Sequence, residues 1–140
     1  IPAQLVTQEF FALVYEKLSP EGVMVINIGR STTDRSLIDT LSATVAQSFQ
    51  AVFITDLPDS YNTILFAAKN PQANWEAFER NLNLQNLPGG SSPLAEIMGI
   101  TIGGKAETHF ANSIFTDDKA PIEFMTNRLV INFLLEGDKE

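Results

Sequence analysis

Only five residues, 58–62 with the sequence PDSYN, separate two apolar runs near the middle of the chain. The runs are AVFITDL, residues 51–57, and TILFAAK, residues 63–69. Their β-branched and aromatic side chains are typical of strands. Because a connection between parallel strands needs about a dozen residues or more, the two strands are predicted to form an antiparallel hairpin.

A helix, a strand and a second helix are predicted before this hairpin. The run GVMVINI, residues 22–28, is continuously apolar, as expected for a strand covered on both faces. The first helix has Thr7 as its N-cap and ends at the SPEG segment, and the second opens on Ser or Thr caps within residues 30–49. Their apolar faces comprise Phe10, Leu13, Val14 and Leu18, and Leu37, Ile38, Leu41, Val45 and Phe49. This order of elements predicts half of an α/β sandwich.

The rest of the chain is predicted to be mainly helical. A short amphipathic helix is expected at residues 73–82, a flexible break at LPGGSSP, residues 87–93, and a helical turn at PLAEIMG, residues 93–99. The last helix is expected to start with Pro121 and to reach about residue 135. Its inward positions are Ile122, Met125, Leu129 and Phe133, and those of the short helix are Trp75, Phe78 and Leu82. We therefore expect one domain over residues 1–140, with an α/β core in residues 1–70 and a helix-and-loop extension in residues 71–140.

Composition narrows the possible functions. With 140 residues and 44% hydrophobic side chains, the chain can bury a core of its own. A formal charge of −8 argues against nucleic acid as a partner, and the lack of cysteine excludes a thiolate nucleophile. There is no apolar run of membrane-spanning length. The start, IPAQL, has no initiator Met or signal-like segment, so the chain is expected to be part of something longer.

Phosphate-binding and catalytic motifs are not recognisable. The first strand is followed by IGRSTTD, residues 28–34, with one glycine rather than a nucleotide-binding loop. A helix N-terminus there could hold an anion, but a capped strand-to-helix connection explains the same residues. His109 is the single histidine and has no triad pattern around it, so it is expected to be a surface or half-buried structural residue.

The segment TDDKAPIE, residues 116–123, carries three acids, Asp117, Asp118 and Glu123. Clustered carboxylates attract a diamine or polyamine, because each ammonium group can pair with one of them. The alternative is that the two aspartates shape a turn and cap the last helix while Glu123 favours its dipole. Both interpretations can hold together, since a cap can also face a cleft.

Three segments in order resemble the later half of spermidine synthase-like proteins, the polyamine aminopropyltransferases. They are IPAQLVTQEFFALVYEKLSPEGVMVINI, DLPDSYNTILFAAKNP and FTDDKAPIEFMTNRL, and residues 75–113 carry little of the likeness. The best match is a divergent bacterial group whose members are often fused to membrane transporter segments. The resemblance implies a Rossmann-like, methyltransferase-type sheet of seven strands. The three predicted strands would be its fifth to seventh, with the last inserted antiparallel between the other two.

The family transfers an aminopropyl group from decarboxylated S-adenosylmethionine to putrescine or a related amine and needs no metal. The resemblance places Gln4, Thr7, Asp117, Asp118 and Glu123 beside the substrate. The family's glycine-rich loop, ribose-binding acid and catalytic aspartate all precede the segment that matches residue 1. We therefore expect no cofactor and no catalytic residue in this chain, and no transferase activity from it alone.

Two alternatives stay open, a non-enzymatic dimerising interaction domain and part of a class I S-adenosylmethionine-dependent methyltransferase. In the complete family fold the strand GVMVINI would be central, so its outer edge is expected to be bare here. We predict a homodimer through that edge or through uncovered helix faces. The expected location is the cytoplasm, with membrane segments elsewhere in a longer parent.

Overall fold

The fold is known from a computed structural model that describes residues 2–85 and 92–137. The chain forms a mixed α/β layer structure, and most of its elements follow the predicted order. The elements are a 3-10 turn Ala3–Leu5, α1 Gln8–Lys17, β1 Val23–Gly29, α2 Ser36–Val45, β2 Ala51–Asp56, β3 Asn62–Ala68, α3 Trp75–Gln85, α4 Pro93–Gly103, β4 Lys105–Ala106 and α5 Ile122–Gly137.

The sheet has the strand order β1-β3-β2-β4, and every neighbouring pair is antiparallel. β3 therefore lies between β1 and β2, which run parallel to each other. This confirms the hairpin and the inserted antiparallel strand, and it is compatible with a partial Rossmann-like fold. A fourth strand was not predicted, because β4 is only two residues long and follows directly after α4.

One face of the sheet forms the core with α1, α2 and α5. Ile28, Leu65 and Ile54 point to this side from β1, β3 and β2 and are almost completely buried. The helices contribute Phe11, Leu37, Ile38, Leu41, Val45, Ile122 and Leu129. Phe49 follows α2 instead of belonging to it, yet it is buried and packs edge-on against Tyr15 at 5.1 Å.

The opposite face is only partly covered. Trp75 of α3 packs against Phe53 of β2 with ring centroids 5.5 Å apart, and Thr55 Oγ1 donates to the carbonyl oxygen of Thr101 in α4 at 2.8 Å. These helices lie over β2 and β3 and leave β1 open, where Val23 and Val25 are 51% and 56% exposed. The prediction that this strand is covered on both faces is therefore wrong.

Several helix ends differ from the predictions for local reasons. α2 has Arg35 at its N-cap position instead of a Ser or Thr, and the preceding Asp34 accepts from the Ser36 N–H through Oδ1 at 3.0 Å. α4 continues to Gly103, well past the predicted turn, with Ser92 as its N-cap. Pro121 lies at the N-cap position of α5, one residue before the predicted first helical position, because its carbonyl accepts the first helical hydrogen bond, from the Met125 N–H.

Parts of two predictions lie outside the described residues. The break LPGGSSP falls largely on residues 86–91, and the Phe133 side chain is likewise outside. Ile122 and Leu129 face the core as predicted, and Met125 is partly buried against it. Among the helices of residues 2–85 and 92–137, none is both long and apolar enough to cross a membrane.

The close contact between the end of α4 and β2 makes Gly104 a sensitive position. A Cβ at residue 104 would collide with the Asp56 carbonyl oxygen and lie 2.7 Å from Thr55 Oγ1. We expect Gly104→Ala to lower the free energy of unfolding by about 1–3 kcal/mol, because the backbone must shift. Gly99→Ala is the control, since nothing lies within 4 Å of its Cβ and alanine favours a helix. Urea unfolding checks both, and equal stability of the two variants would contradict this packing.

Candidate functional site

The carboxyl-terminal ends of the parallel strands β1 and β2 meet at one end of the sheet. Arg30 follows β1 directly and Asp56 is the last residue of β2. Ligands of open α/β sheets bind outside the carboxyl ends of the parallel strands, so this end of the sheet is the candidate site. It carries a polar network and two clefts.

Asp56 is the centre of the polar network. Arg35 approaches it with both terminal nitrogens, Nη1 to Oδ2 at 2.9 Å and Nη2 to Oδ1 at 3.2 Å. Thr63 Oγ1 donates to Oδ1, and Arg30 Nε lies 3.5 Å from the same oxygen. Arg30 also donates from Nη2 to the Ser60 carbonyl at 3.0 Å, so the network ties the β2–β3 turn to the end of β1.

The network sets the charge state of Asp56. Burial alone would raise the pKa of this carboxyl, but hydrogen bonds from Arg35 and Thr63 and the charges of Arg35 and Arg30 outweigh it. The pKa therefore lies below its usual value of 3.8. Asp56 stays ionised at neutral pH and offsets part of the positive charge of the two guanidinium groups beside it.

A second ion pair joins α5 to the start of α2. Arg128 Nε lies 2.9 Å from Asp34 Oδ2, and Arg128 also contacts Ser36 Oγ. Burial would raise the pKa of Asp34, but hydrogen bonds from Ser36 and the charge of Arg128 lower it below the usual value.

A cleft of about 470 Å³ lies between the end of β1 and α5. Its walls combine apolar side chains with a few polar ones, which suits a small ligand with an apolar body and polar ends. The lining residues are Asn27, Ile28, Gly29, Arg30, Leu37, Tyr61, Ile122, Thr126, Leu129 and Val130.

Glu123 lies beside the N-terminal segment. It is exposed in the first turn of α5 and lines a neighbouring cleft of about 330 Å³ with Pro2, Thr126 and Asn127. Thr126 lines both clefts. The structure thus brings one predicted site residue to the same end of the sheet as the larger cleft.

Asp117 and Asp118 occupy an exposed tight turn in which Thr116 and Lys119 exchange backbone hydrogen bonds. The turn ends before α5 begins at Ile122, so the aspartates shape a turn as the capping alternative proposed but do not form the N-cap of α5. The Asp117 N–H donates to Glu9 Oε2 at 3.1 Å, which places the turn against the start of α1.

The two predicted site residues of the N-terminal segment differ in burial and in hydrogen bonding. Thr7 is buried and its Oγ1 accepts from the Phe10 N–H at 3.3 Å, so it is the predicted N-cap of α1 and its hydroxyl is already engaged. Gln4 is exposed on the 3-10 turn that leads into α1. A role for either residue in substrate binding stays a prediction.

His109 lies at the surface, as predicted, 3.9 Å from Glu107. Within residues 2–85 and 92–137, no group of three or more His, Asp and Glu side chains could hold a metal ion. The residues that sequence reasoning missed are Arg30, Arg35, Asp56 and Arg128. Arg30 and Asp56 could have been found, because each is a charged residue at the end of an apolar strand run.

Comparison with known proteins gives one relative that matches along most of the chain. The chain is 33% identical over 138 aligned residues to a protein of Bifidobacterium longum (strain NCC 2705) described as a probable polyamine aminopropyl transferase. The alignment covers 89% of this chain and 31% of the relative, so the chain spans about a third of that protein's length. No family model matches the chain. No solved structure matches it either.

The Asp56 network predicts a characteristic loss of stability at low pH. An acid with a lowered pKa stabilises the fold above its unfolded pKa, and this contribution is lost as the pH falls through the folded-state pKa. We expect Asp56→Asn to lower the free energy of unfolding by about 1–3 kcal/mol at pH 7, because two guanidinium groups lose their charged partner. The loss should become smaller as the pH falls below about 4, where Asp56 itself becomes protonated. Thermal unfolding between pH 3 and pH 7 measures this.

The matched control is Asp59→Asn, the same change at an exposed position of the same turn. Asp59 has a positive φ of 52°, which asparagine tolerates. Two results would show that the network does not stabilise the turn. One is that Asp59→Asn lowers the free energy of unfolding as much as Asp56→Asn does. The other is that the effect of Asp56→Asn on this free energy does not change with pH.

Proposed function

We propose that this chain is the C-terminal part of a spermidine synthase-like aminopropyltransferase domain. The observation that carries the proposal is the 33% identity, along 89% of the chain, to a protein described as a probable polyamine aminopropyl transferase. The β1-β3-β2 order supports it, because the resemblance implied an antiparallel strand inserted between two parallel ones.

The placement of α1 also supports a larger sheet. α2 connects the parallel strands β1 and β2 and packs on the core face. α1 packs on the same face, and its Phe10 and Val14 line a groove with Met24 and Ile26 of β1. A helix in that position suits a crossover from a further parallel strand beside β1.

In the proposed reaction a primary amine attacks the carbon next to the sulfonium of decarboxylated S-adenosylmethionine. A C–N bond forms, the C–S bond breaks with its electron pair on sulfur, and methylthioadenosine leaves as a neutral thioether. The amine loses one proton, which an acidic residue accepts. We place the nucleotide-binding loop and this acid outside the 140 residues.

The contribution of this chain would be to attract and orient the amine. Of the three arginines at this end of the sheet, Arg30 and Arg35 share Asp56 and Arg128 pairs with Asp34, so two carboxylates offset most of their positive charge. Glu123, Asp117 and Asp118 are exposed and add negative charge. A cationic amine would be drawn toward these carboxylates in a chain of net charge −8.

A second candidate function is a non-enzymatic interaction domain, favoured by the outer face of α5. Phe124, Ile131 and Leu135 are each more than half exposed there, as are Val130 and Leu134. Apolar side chains grouped on the outer face of one helix are typical of a protein–protein contact. A methyltransferase fragment is a third candidate, but methyl transfer offers no reason for the acidic segment 116–123.

A thermal-shift titration with putrescine, spermidine and methylthioadenosine at two salt concentrations tests the amine site. A ligand of the folded state raises stability by mass action, by about 2.7 kcal/mol at a hundredfold excess over Kd. We expect an amine to raise the Tm at low salt and the joint change Asp117→Asn with Asp118→Asn, or Glu123→Gln, to reduce the shift. Glu107→Gln is the control, since that exposed carboxylate lies beside His109 instead.

The chain is also assayed for methylthioadenosine release from decarboxylated S-adenosylmethionine and putrescine. Turnover by these 140 residues would contradict the expectation that the catalytic acid lies elsewhere. If an amine raises the Tm of Glu107→Gln and of the site variants equally, the amine is attracted by the overall negative charge and not by the acidic segment. If no amine raises the Tm, the amine-binding proposal is wrong and the interaction domain remains the candidate function.

A further inference from the structure

Arg30 lines the larger cleft at the end of β1, and its guanidinium group is only partly paired. Arg35 donates to both carboxylate oxygens of Asp56, at 2.9 and 3.2 Å, and Thr63 Oγ1 donates to Oδ1 as well. Arg30 Nε lies 3.5 Å from Oδ1 and has no hydrogen-bond partner within residues 2–85 and 92–137. Arg30 Nη2 donates to the Ser60 carbonyl, which is neutral. Arg30 is thus a second cation on a carboxylate that already has a bidentate partner.

The wall of the larger cleft therefore carries a positive charge that is not fully matched. In the described part of the chain, Asp56 is the carboxylate that lies within ion-pair distance of Arg30. The attractive charge interactions of the nearby Asp39 are with His109 and Arg35 instead. The Arg30 side chain is only 17% exposed, and a largely buried guanidinium group is costly without a full counter-charge. An anionic group of a ligand in the cleft would supply that charge through charge-assisted hydrogen bonds.

The neighbouring cleft of about 330 Å³ offers the opposite charge. Glu123 lines this smaller cleft, and Thr126 lines both clefts, so the two are adjacent. A ligand that spans them meets Arg30 in one cleft and Glu123 in the other. The body of such a ligand would be an alkyl chain, because the larger cleft is lined mainly by apolar side chains. These are Ile28, Leu37, Ile122, Leu129 and Val130.

We propose that the larger cleft binds an amino acid, an amine that also carries a carboxylate, with the carboxylate at Arg30 and the ammonium group toward Glu123. The inference rests on the proposed aminopropyltransferase function and names the class of its amine acceptor. The amino nitrogen remains the attacking atom and loses one proton, while the carboxylate only orients the acceptor. Arg30 is then the residue that determines the specificity for this class.

Charge complementarity favours an amino acid over the two simpler ligand classes. A diamine would place an ammonium group beside an incompletely paired guanidinium group, and like charges repel at that distance. A simple carboxylate would have to approach a chain of net charge −8. An amino acid has no net charge and offers each cleft the sign that it lacks.

The test compares 4-aminobutanoate, putrescine and butanoate on the wild-type chain by thermal-shift titration at low salt. The three ligands share one chain length and carry one charge of each sign, two ammonium groups, and one carboxylate. We expect 4-aminobutanoate to bind roughly tenfold or more tightly than either of the others, because it alone can form charge-assisted hydrogen bonds at both ends. This comparison needs no substitution and so does not depend on how well a variant folds.

Arg30→Gln then removes the guanidinium group, and Lys17→Gln is the matched control, because it removes one positive charge from an exposed pair with Glu16. We expect Arg30→Gln to lose the preference for 4-aminobutanoate over putrescine and Lys17→Gln to keep it. Arg30→Lys should keep part of the preference, since it retains the charge but not the planar fork of donors. Each shift is measured from the Tm of the same variant without ligand.

The outcomes separate this inference from the proposed function. If putrescine binds the wild-type chain as tightly as 4-aminobutanoate does, or if the preference survives in Arg30→Gln, the inference is wrong and the amine-binding role stands. If butanoate binds as tightly as 4-aminobutanoate, the inference is also wrong, because the ammonium group is not recognised. If none of the three ligands raises the Tm, the amine-binding proposal itself is wrong, and the inference falls with it.

Discussion

Because residues 57–61 are too few to carry the chain across the sheet, β3 has to return beside β2, and it does so between β2 and β1. This insertion brings the carboxyl-terminal ends of β1 and β2 to one end of the sheet with the start of β3 between them. Asp56 and Thr63, at the two ends of the turn, are therefore close enough to share one hydrogen bond. Arg30 and Arg35 then reach the same carboxylate from the connection that follows β1.

The charged side chains gathered in this way determine which ligands this end of the sheet can attract. Three arginines here would repel a cationic ligand if they were unpaired. Asp56 and Asp34 are held ionised by lowered pKa values and offset two of these three positive charges. The exposed acids Asp117, Asp118 and Glu123 add further negative charge, which Lys119 of the same segment offsets only in part.

The hairpin, α1 and the core face of α2 could be predicted because local spacing and turn length determine them. The insertion of β3 between β1 and β2 followed from the family resemblance and could not be read from the turn alone. The exposure of Val25 was missed, because a continuous apolar run predicts a covered strand whether or not the covering elements are present. The end of α2 was placed too late, because Phe49 keeps the helical period but is buried by packing against Tyr15.

The sequence allowed the acidic segment of residues 116–123 to be predicted, but not the polar network centred on Asp56. Arg35 and Arg128 are distant in sequence and meet Asp56 and Asp34 only through the fold, so no local pattern marks them. The position of the acidic turn is also a tertiary result. Phe115 is buried, donates its N–H to Thr44 Oγ1 and accepts from the Gln8 N–H, which joins α2 to α1.

The buried Phe115 and its two backbone hydrogen bonds hold the start of the acidic segment in place. The turn that carries Asp117 and Asp118 begins directly after a residue fixed between two core helices, and Glu123 follows the buried Ile122. The carboxylates are therefore exposed on a backbone that is held at both ends. A turn held in this way loses little conformational entropy when it binds a ligand, which is the main cost that a flexible acidic loop would have to overcome.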